Sequence, residues 1–119
     1  MTMEILNDWP SHGGRQLVVR HASEATGTDM TFGLFLPPGD GPHPLLVYLS
    51  GLTCTHANAM EKGEYRSACA AHGIAFLCPD TSPRGEVSGA RKAIPCAAQA
   101  ARYSPFSITL AWVQVRPDR

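Results

Sequence analysis

The chain has 119 residues and 12.8 kDa, with ten basic and ten acidic residues and an isoelectric point near 6.9. That balance excludes a general polyanion binder. With 44% apolar and 17% charged residues it is no disordered solvating chain either, and its mass suits a single core.

The opening residues MTMEILNDWP hold Glu4 and Asp8 and have neither a basic leader nor a long apolar stretch, so no secretory signal is expected. The longest apolar runs, Leu45 to Leu49 and Ile74 to Cys78, fall far short of the roughly 20 residues that span a bilayer. A cytoplasmic location without membrane association follows as the expectation. The cysteines Cys54, Cys69, Cys78 and Cys96 are read as free thiols in a reducing compartment.

In chain order, His12-Gly13-Gly14 predicts a turn and Gln16 to His21 a strand. Met30 to Leu36 predicts a second strand, with Met30, Phe32, Leu34 and Leu36 on one half-buried face, stopped by Pro37-Pro38. A Gly/Pro loop then leads to Leu45-Leu46-Val47-Tyr48-Leu49, a continuous apolar run of the kind found in strands buried on both faces. Asn58 to His72 predicts one helix, with Tyr65, Ala68, Cys69 and His72 as its apolar stripe and Gly73 ending it. Ile74 to Cys78 predicts a further buried strand.

This order implies an α/β sheet whose last two strands are parallel and joined by a helical crossover. Ligands bind such sheets outside the carboxyl ends of the strands, where the loops Ser50 to Asn58 and Asp80 to Gly85 would lie.

Two segments go beyond generic pattern: Leu49-Ser50-Gly51-Leu52-Thr53-Cys54-Thr55 and Pro79-Asp80-Thr81-Ser82-Pro83-Arg84-Gly85. Together with Gly13-Gly14-x-Gln16, Met30-x-Phe32-x-x-Phe35-Leu36-Pro37-Pro38 and Lys62-Gly63 with Arg66, they resemble the S-formylglutathione hydrolase (esterase D) family over roughly residues 3 to 85. The resemblance implies the N-terminal portion of an α/β-hydrolase sheet, incomplete in itself. It also implies a serine hydrolase that cleaves the thioester S-formylglutathione in formaldehyde detoxification, needs no cofactor or metal, and leaves room for homodimers among intact members.

In that family a serine in a Gly-x-Ser-x-Gly elbow attacks the carbonyl, a histidine oriented by an aspartate moves the proton, and two backbone N–H groups hold the oxyanion. By resemblance, the Leu52 N–H is one such donor, Gly51 allows close approach, and Thr53 and Cys54 line the wall. A thiol at Cys54 would be modifiable rather than nucleophilic.

The triad itself is not expected in this chain. Of eleven glycines only Gly85 and Gly89 stand four apart, and Val87 occupies the centre of that window. The polypeptide alone is therefore expected to be inactive. From Glu86 to Arg119 the chain becomes basic and Ala-rich, with five basic residues against Glu86 and Asp118, whereas residues 1 to 85 hold five basic and eight acidic. This divergent tail reads as frameshifted or unstructured. An alternative is a non-catalytic interaction or regulatory protein that binds a partner through it.

Simpler readings accompany several motifs. His12-Gly13-Gly14 imitates a lipase oxyanion motif but precedes the first predicted strand, which favours a turn. Cys54-x-His56 and Cys69-x-x-His72 have zinc-like spacing, yet Cys69 and His72 fall on the helix stripe. Asp80 and Arg84 are expected to pair across their turn, and Lys62 and Arg66 to be solvated.

Overall fold

The structure, a computed structural model, describes residues 2–51, 54–81 and 109–115. Its elements are β1 (Met3–Ser11), β2 (Gly14–Ser23), β3 (Thr28–Leu36), β4 (His43–Val47), α1 (His56–Lys62), α2 (Arg66–His72), β5 (Ala75–Pro79) and β6 (Thr109–Val115). The strands form one mixed sheet in the order β1-β2-β3-β5-β4-β6. β4 and β5 run parallel, as the sequence implies, and the other neighbours are antiparallel. No helix among the described residues is long and apolar enough to cross a membrane.

β1 carries no sequence signal. Nearly all its residues are exposed, including Ile5 and Trp9, as suits a strand at the edge of the sheet. Its pairing with β2 slips between Ile5 and Asn7, a bulge that suits an edge, and Pro10 is tolerated there for the same reason. The pairs Arg15–Asp8 and Arg20–Glu4 span the two strands at the surface. His12 and Gly13 make the tight connection with φ of 49° and 78°, the left-handed pair that matches hairpin twist. The expected turn is therefore present, with a histidine in its first position.

The register places Gln16, Val18, Gly33, Phe35, Phe76 and Cys78 on one sheet face and Leu17, Val19, Leu34 and Leu77 on the other. Both faces of β3 are thus apolar. Met30, Phe32, Leu34 and Leu36 are half-buried, and the deepest burial falls opposite them, at Gly33 and at Phe35 with 0% exposure. There α1 packs on β3 and β5, and Val18, Phe35, Met60, Cys69, Phe76 and Cys78 form the core.

Two expectations are corrected. The run Leu45 to Leu49 is not a strand buried on both faces: β4 ends at Val47, only Leu45 is buried, and Tyr48 and Leu49 are 43% and 40% exposed. β4 lies near the margin of the sheet, with β6 as its outer neighbour, so it lacks the double cover that such a run implies. The last part of the basic tail is thereby paired into the sheet.

Nor is Asn58 to His72 one helix. Gly63 terminates α1 with an extended backbone (φ −94°, ψ 92°), and α2 restarts after Tyr65. The restart resets the helical phase, so Cys69 is the one buried residue of α2, while Ala68 and His72 are exposed. Gly73 closes α2 in the left-handed conformation (φ 64°), as its position predicts.

Thr55 starts α1. Its hydroxyl accepts from the Ala57 N–H at 3.2 Å, and the Asn58 side chain returns the bond by accepting from the Thr55 N–H at 2.9 Å. Replacing Thr55 by Ala is expected to lower unfolding stability by about 1 kcal/mol, read as a lower denaturation midpoint at unchanged slope.

Candidate functional site

The carboxyl ends of the parallel strands β4 and β5 lie side by side, with Leu46 opposite Phe76 and Val47 opposite Leu77. The Tyr48 N–H extends the pairing by donating to the Leu77 carbonyl at 2.8 Å. Beyond it the chain leaves the sheet through Ser50 and Gly51 and enters α1 at His56. Within this loop the Cys54 N–H donates to the Gly51 carbonyl at 3.2 Å, folding the loop back on itself. Leu52 and Thr53, the expected donor and one wall residue, lie outside the described residues.

A cleft of about 470 Å³ opens beside the loop, walled by Tyr48, Ser50, Gly51, Cys54, Lys62 and Tyr65 among others. Apart from Gly51 and its two chain neighbours, no atom of the described residues lies within 4 Å of where a Cβ on Gly51 would sit. Gly51 and Cys54, expected at the site, therefore share one cleft.

One wall is aromatic. The Tyr65 ring stacks on Phe76 with centroids 3.8 Å apart and planes 11° from parallel, and Tyr48 lies over the same Phe76 at 6.1 Å. Tyr65 donates its hydroxyl to Gln16 Oε1 at 2.6 Å, and Gln16, itself 2% exposed, donates to the Leu34 carbonyl at 3.2 Å. Burial is the main cause that pushes the Tyr65 hydroxyl up to about 12, so it stays a neutral donor through the physiological range.

Arg66 is not the solvated residue its spacing suggests. It donates to the Met60 carbonyl and its guanidinium lies 5.1 Å from the centre of the Tyr65 ring. It joins the two short helices across the Gly63 break. Lys62 is exposed.

The thiols separate by environment. Cys69 and Cys78 are buried in the core; burial raises the Cys69 thiol and pushes Cys78 up to about 11, leaving both protonated and inert at neutral pH. Cys54 is partly exposed in the cleft. Among the described residues no three His, Cys, Asp or Glu side chains are grouped to hold a metal ion.

The sequence gives no hint of one further contact. His56, the first residue of α1, brings its Nδ1 to 3.8 Å from Asp80 Oδ2 at the end of β5. The pairing foreseen for Asp80 involves Arg84, which lies outside the described residues. Ser50, His56 and Asp80 do not make a catalytic triad. The Ser50 Oγ and His56 Nδ1 atoms are both buried without a hydrogen-bond partner. Ser50 lines the cleft beside Gly51, whereas His56 borders a second one of about 620 Å³ on the β1 side, with Trp9, Glu61 and Arg66.

Such a loop can offer fixed backbone donors to a negative oxygen at the edge of the sheet, and among the described residues no activated nucleophile accompanies it. An S-formylglutathione hydrolase from Paracoccus denitrificans is 53% identical to the chain over 88 residues, which cover 72% of this chain and 32% of that protein. The S-formylglutathione hydrolase of Mus musculus is 45% identical over 75 residues, covering 61% of this chain and 27% of its own. The chain thus spans about a third of the length of the curated relatives it matches. In three dimensions it superposes on an S-formylglutathione hydrolase from Agrobacterium tumefaciens with a TM-score of 0.67 and 50% identity, covering 69% of this chain and 30% of the other. A Staphylococcus aureus structure at 14% identity and a TM-score of 0.50 shares the fold. The model of the Esterase family, described as "Putative esterase", matches residues 23–108 and so continues past Gly85, where the motif-level resemblance stops. A sheet of this order, a loop at the ends of its parallel strands and a family match over most of its length make the chain a member of the esterase family, with an α/β-hydrolase-type fold.

Proposed function

We propose that this chain supplies the N-terminal sheet and the oxyanion loop of an S-formylglutathione hydrolase. The observation that carries the reading is the Ser50–Cys54 loop. It leaves the carboxyl end of β4 beside β5 and opens onto a cleft, in a chain 50% identical to a solved S-formylglutathione hydrolase. The Leu52 N–H donates to the oxygen of the thioester carbonyl as it becomes tetrahedral. Gly51 leaves room for that oxygen, and Thr53 and Cys54 bound the acyl side. The attacking serine, its histidine and the orienting aspartate are not assigned to any residue of this chain, which has no Gly-x-Ser-x-Gly. The substrate is a small thioester and no cofactor takes part. A cytoplasmic setting fits the buried free thiols Cys69 and Cys78.

A hybrid tests this directly. Residues 3 to 85 of this chain replace the matching segment of the Paracoccus denitrificans relative, and hydrolysis of S-formylglutathione is measured. Turnover within about tenfold of the parent is expected, since each tenfold corresponds to only about 1.4 kcal/mol of transition-state stabilisation.

A further inference from the structure

We propose that Lys62 and Glu64, which flank the break between α1 and α2, select the substrate by its charged amino-acid end, Lys62 taking the carboxylate and Glu64 the ammonium. The proposal rests on the hydrolase reading above and adds the two residues that would tell a glutathione thioester from a neutral one. Both residues are exposed, and both line the cleft that also holds Gly51. Among the described residues neither side chain is engaged in an ion pair or a hydrogen bond.

The break holds this pair in place. The Gly63 N–H donates to the Ala59 carbonyl at 2.9 Å, and a Cβ at position 63 would meet the same oxygen at 2.9 Å, so glycine is what lets the chain turn this tightly. On the far side Tyr65 lies flat on Phe76, and Arg66 donates to the Met60 carbonyl. Glu64 is therefore carried between two fixed points, and little chain freedom is lost when it binds. Asn58 stands one turn before Lys62 on α1 and lines the same cleft. Its side-chain oxygen accepts from the Thr55 N–H, which leaves its NH2 group to donate beside the cation.

S-formylglutathione is a tripeptide thioester whose γ-glutamyl end bears a carboxylate and an ammonium on the same carbon. Lys62 and Glu64 offer each of these its opposite charge. A tripeptide reaches about 10 Å, and the cleft of about 470 Å³ falls within the roughly 300–1,000 Å³ of small-molecule sites. With the formyl carbonyl beside Gly51, the peptide arm follows the aromatic wall of Tyr48 and Tyr65 to the break between the helices. Lys62 also closes the last turn of α1, where a cation suits the helix carbonyls. That role shows in stability, the proposed one in substrate affinity.

A KM-against-kcat split in the hybrid enzyme tests the pair. Lys62→Gln is expected to raise KM for S-formylglutathione about fivefold with little change in kcat, the upper size of effect of one exposed ion pair. Lys62→Arg is expected to restore most of the loss. Glu64→Gln is expected to raise KM as well, and both differences to narrow as salt rises. Neutral p-nitrophenyl acetate is the reference. An equal loss on both substrates, or a lowered denaturation midpoint that accounts for it, would make Lys62 a structural residue and overturn the proposal. So would a KM for S-formylglutathione that neither substitution moves. A hybrid without any thioester turnover counts against the hydrolase reading alone. The pair is then read in the 119-residue chain by titrating S-methylglutathione, an inert analogue, to about 10 mM, enough to saturate a Kd of about 1 mM. Saturating shifts of the backbone amides of Lys62 to Tyr65 that are lost in Lys62→Gln support the pair, and their absence overturns it.

Discussion

Offered S-formylglutathione, the purified 119-residue polypeptide is expected to produce formate no faster than buffer does. The loss relative to full-length relatives follows from the parts that are present and those that are not. An oxyanion donor lowers the barrier only after a nucleophile has attacked, because the charge it stabilises does not exist in the ground state. No Gly-x-Ser-x-Gly sequence occurs among the eleven glycines, and Ser50 has no hydrogen bond through which a base could take its proton. Removing the serine alone from a serine protease costs on the order of 10⁶ in turnover, so background rates are the expectation for a chain without the elbow. Formate release measured by coupled oxidation reads the result, with a contaminating esterase excluded by repeating the assay after phosphonate treatment. Thioester turnover that survives purification and labels a serine of this chain would show that the cleft holds its own nucleophile.

The second large effect concerns the donor. In the hybrid enzyme, Leu52→Pro is expected to lower kcat by about 10² to 10³ while KM changes little, because proline removes the N–H that meets the oxyanion. The ground-state carbonyl gains less from that donor than the tetrahedral intermediate does, so the loss appears in the chemical step. Leu52→Ala keeps the backbone donor and should retain most of the rate. If the two variants lost activity equally, the side chain and not the N–H of residue 52 would be the functional group. Circular dichroism and the denaturation midpoint separate a missing donor from a misfolded loop.

Much of the fold is legible in the sequence because α/β sheets announce themselves by apolar runs between breakers. β2, β3, β5 and the parallel β4–β5 pair are all visible as such runs. β1 is not, since a strand with almost no buried residue leaves no hydrophobic period to read. The helix between β4 and β5 is legible as helix but not as two helices. Gly63 weakens a helix everywhere, yet what makes the break worthwhile is tertiary: it lets Tyr65 lie flat on Phe76 and reach Gln16, some fifty residues earlier in the chain.

The site divides in the same way. The Ser50-Gly51-Leu52-Thr53-Cys54 loop is found by its motif, and its position at the ends of β4 and β5 follows from fold logic. Gly51 and Cys54 do share a cleft. The His56–Asp80 contact joins residues on different elements, and Arg66 finds its partners in three dimensions, so neither could be inferred from spacing. Cys69, which has zinc-like spacing to His72, is a core hydrophobe like Cys78, and both thiols are held protonated.

Turnover of S-formylglutathione by the hybrid carrying residues 3 to 85 tests the central claim most directly. A cooperatively folded hybrid that hydrolyses the thioester within about tenfold of its parent, and loses that activity with Leu52→Pro, is the predicted result. A hybrid that unfolds with the parent's midpoint and slope yet leaves S-formylglutathione intact would contradict it.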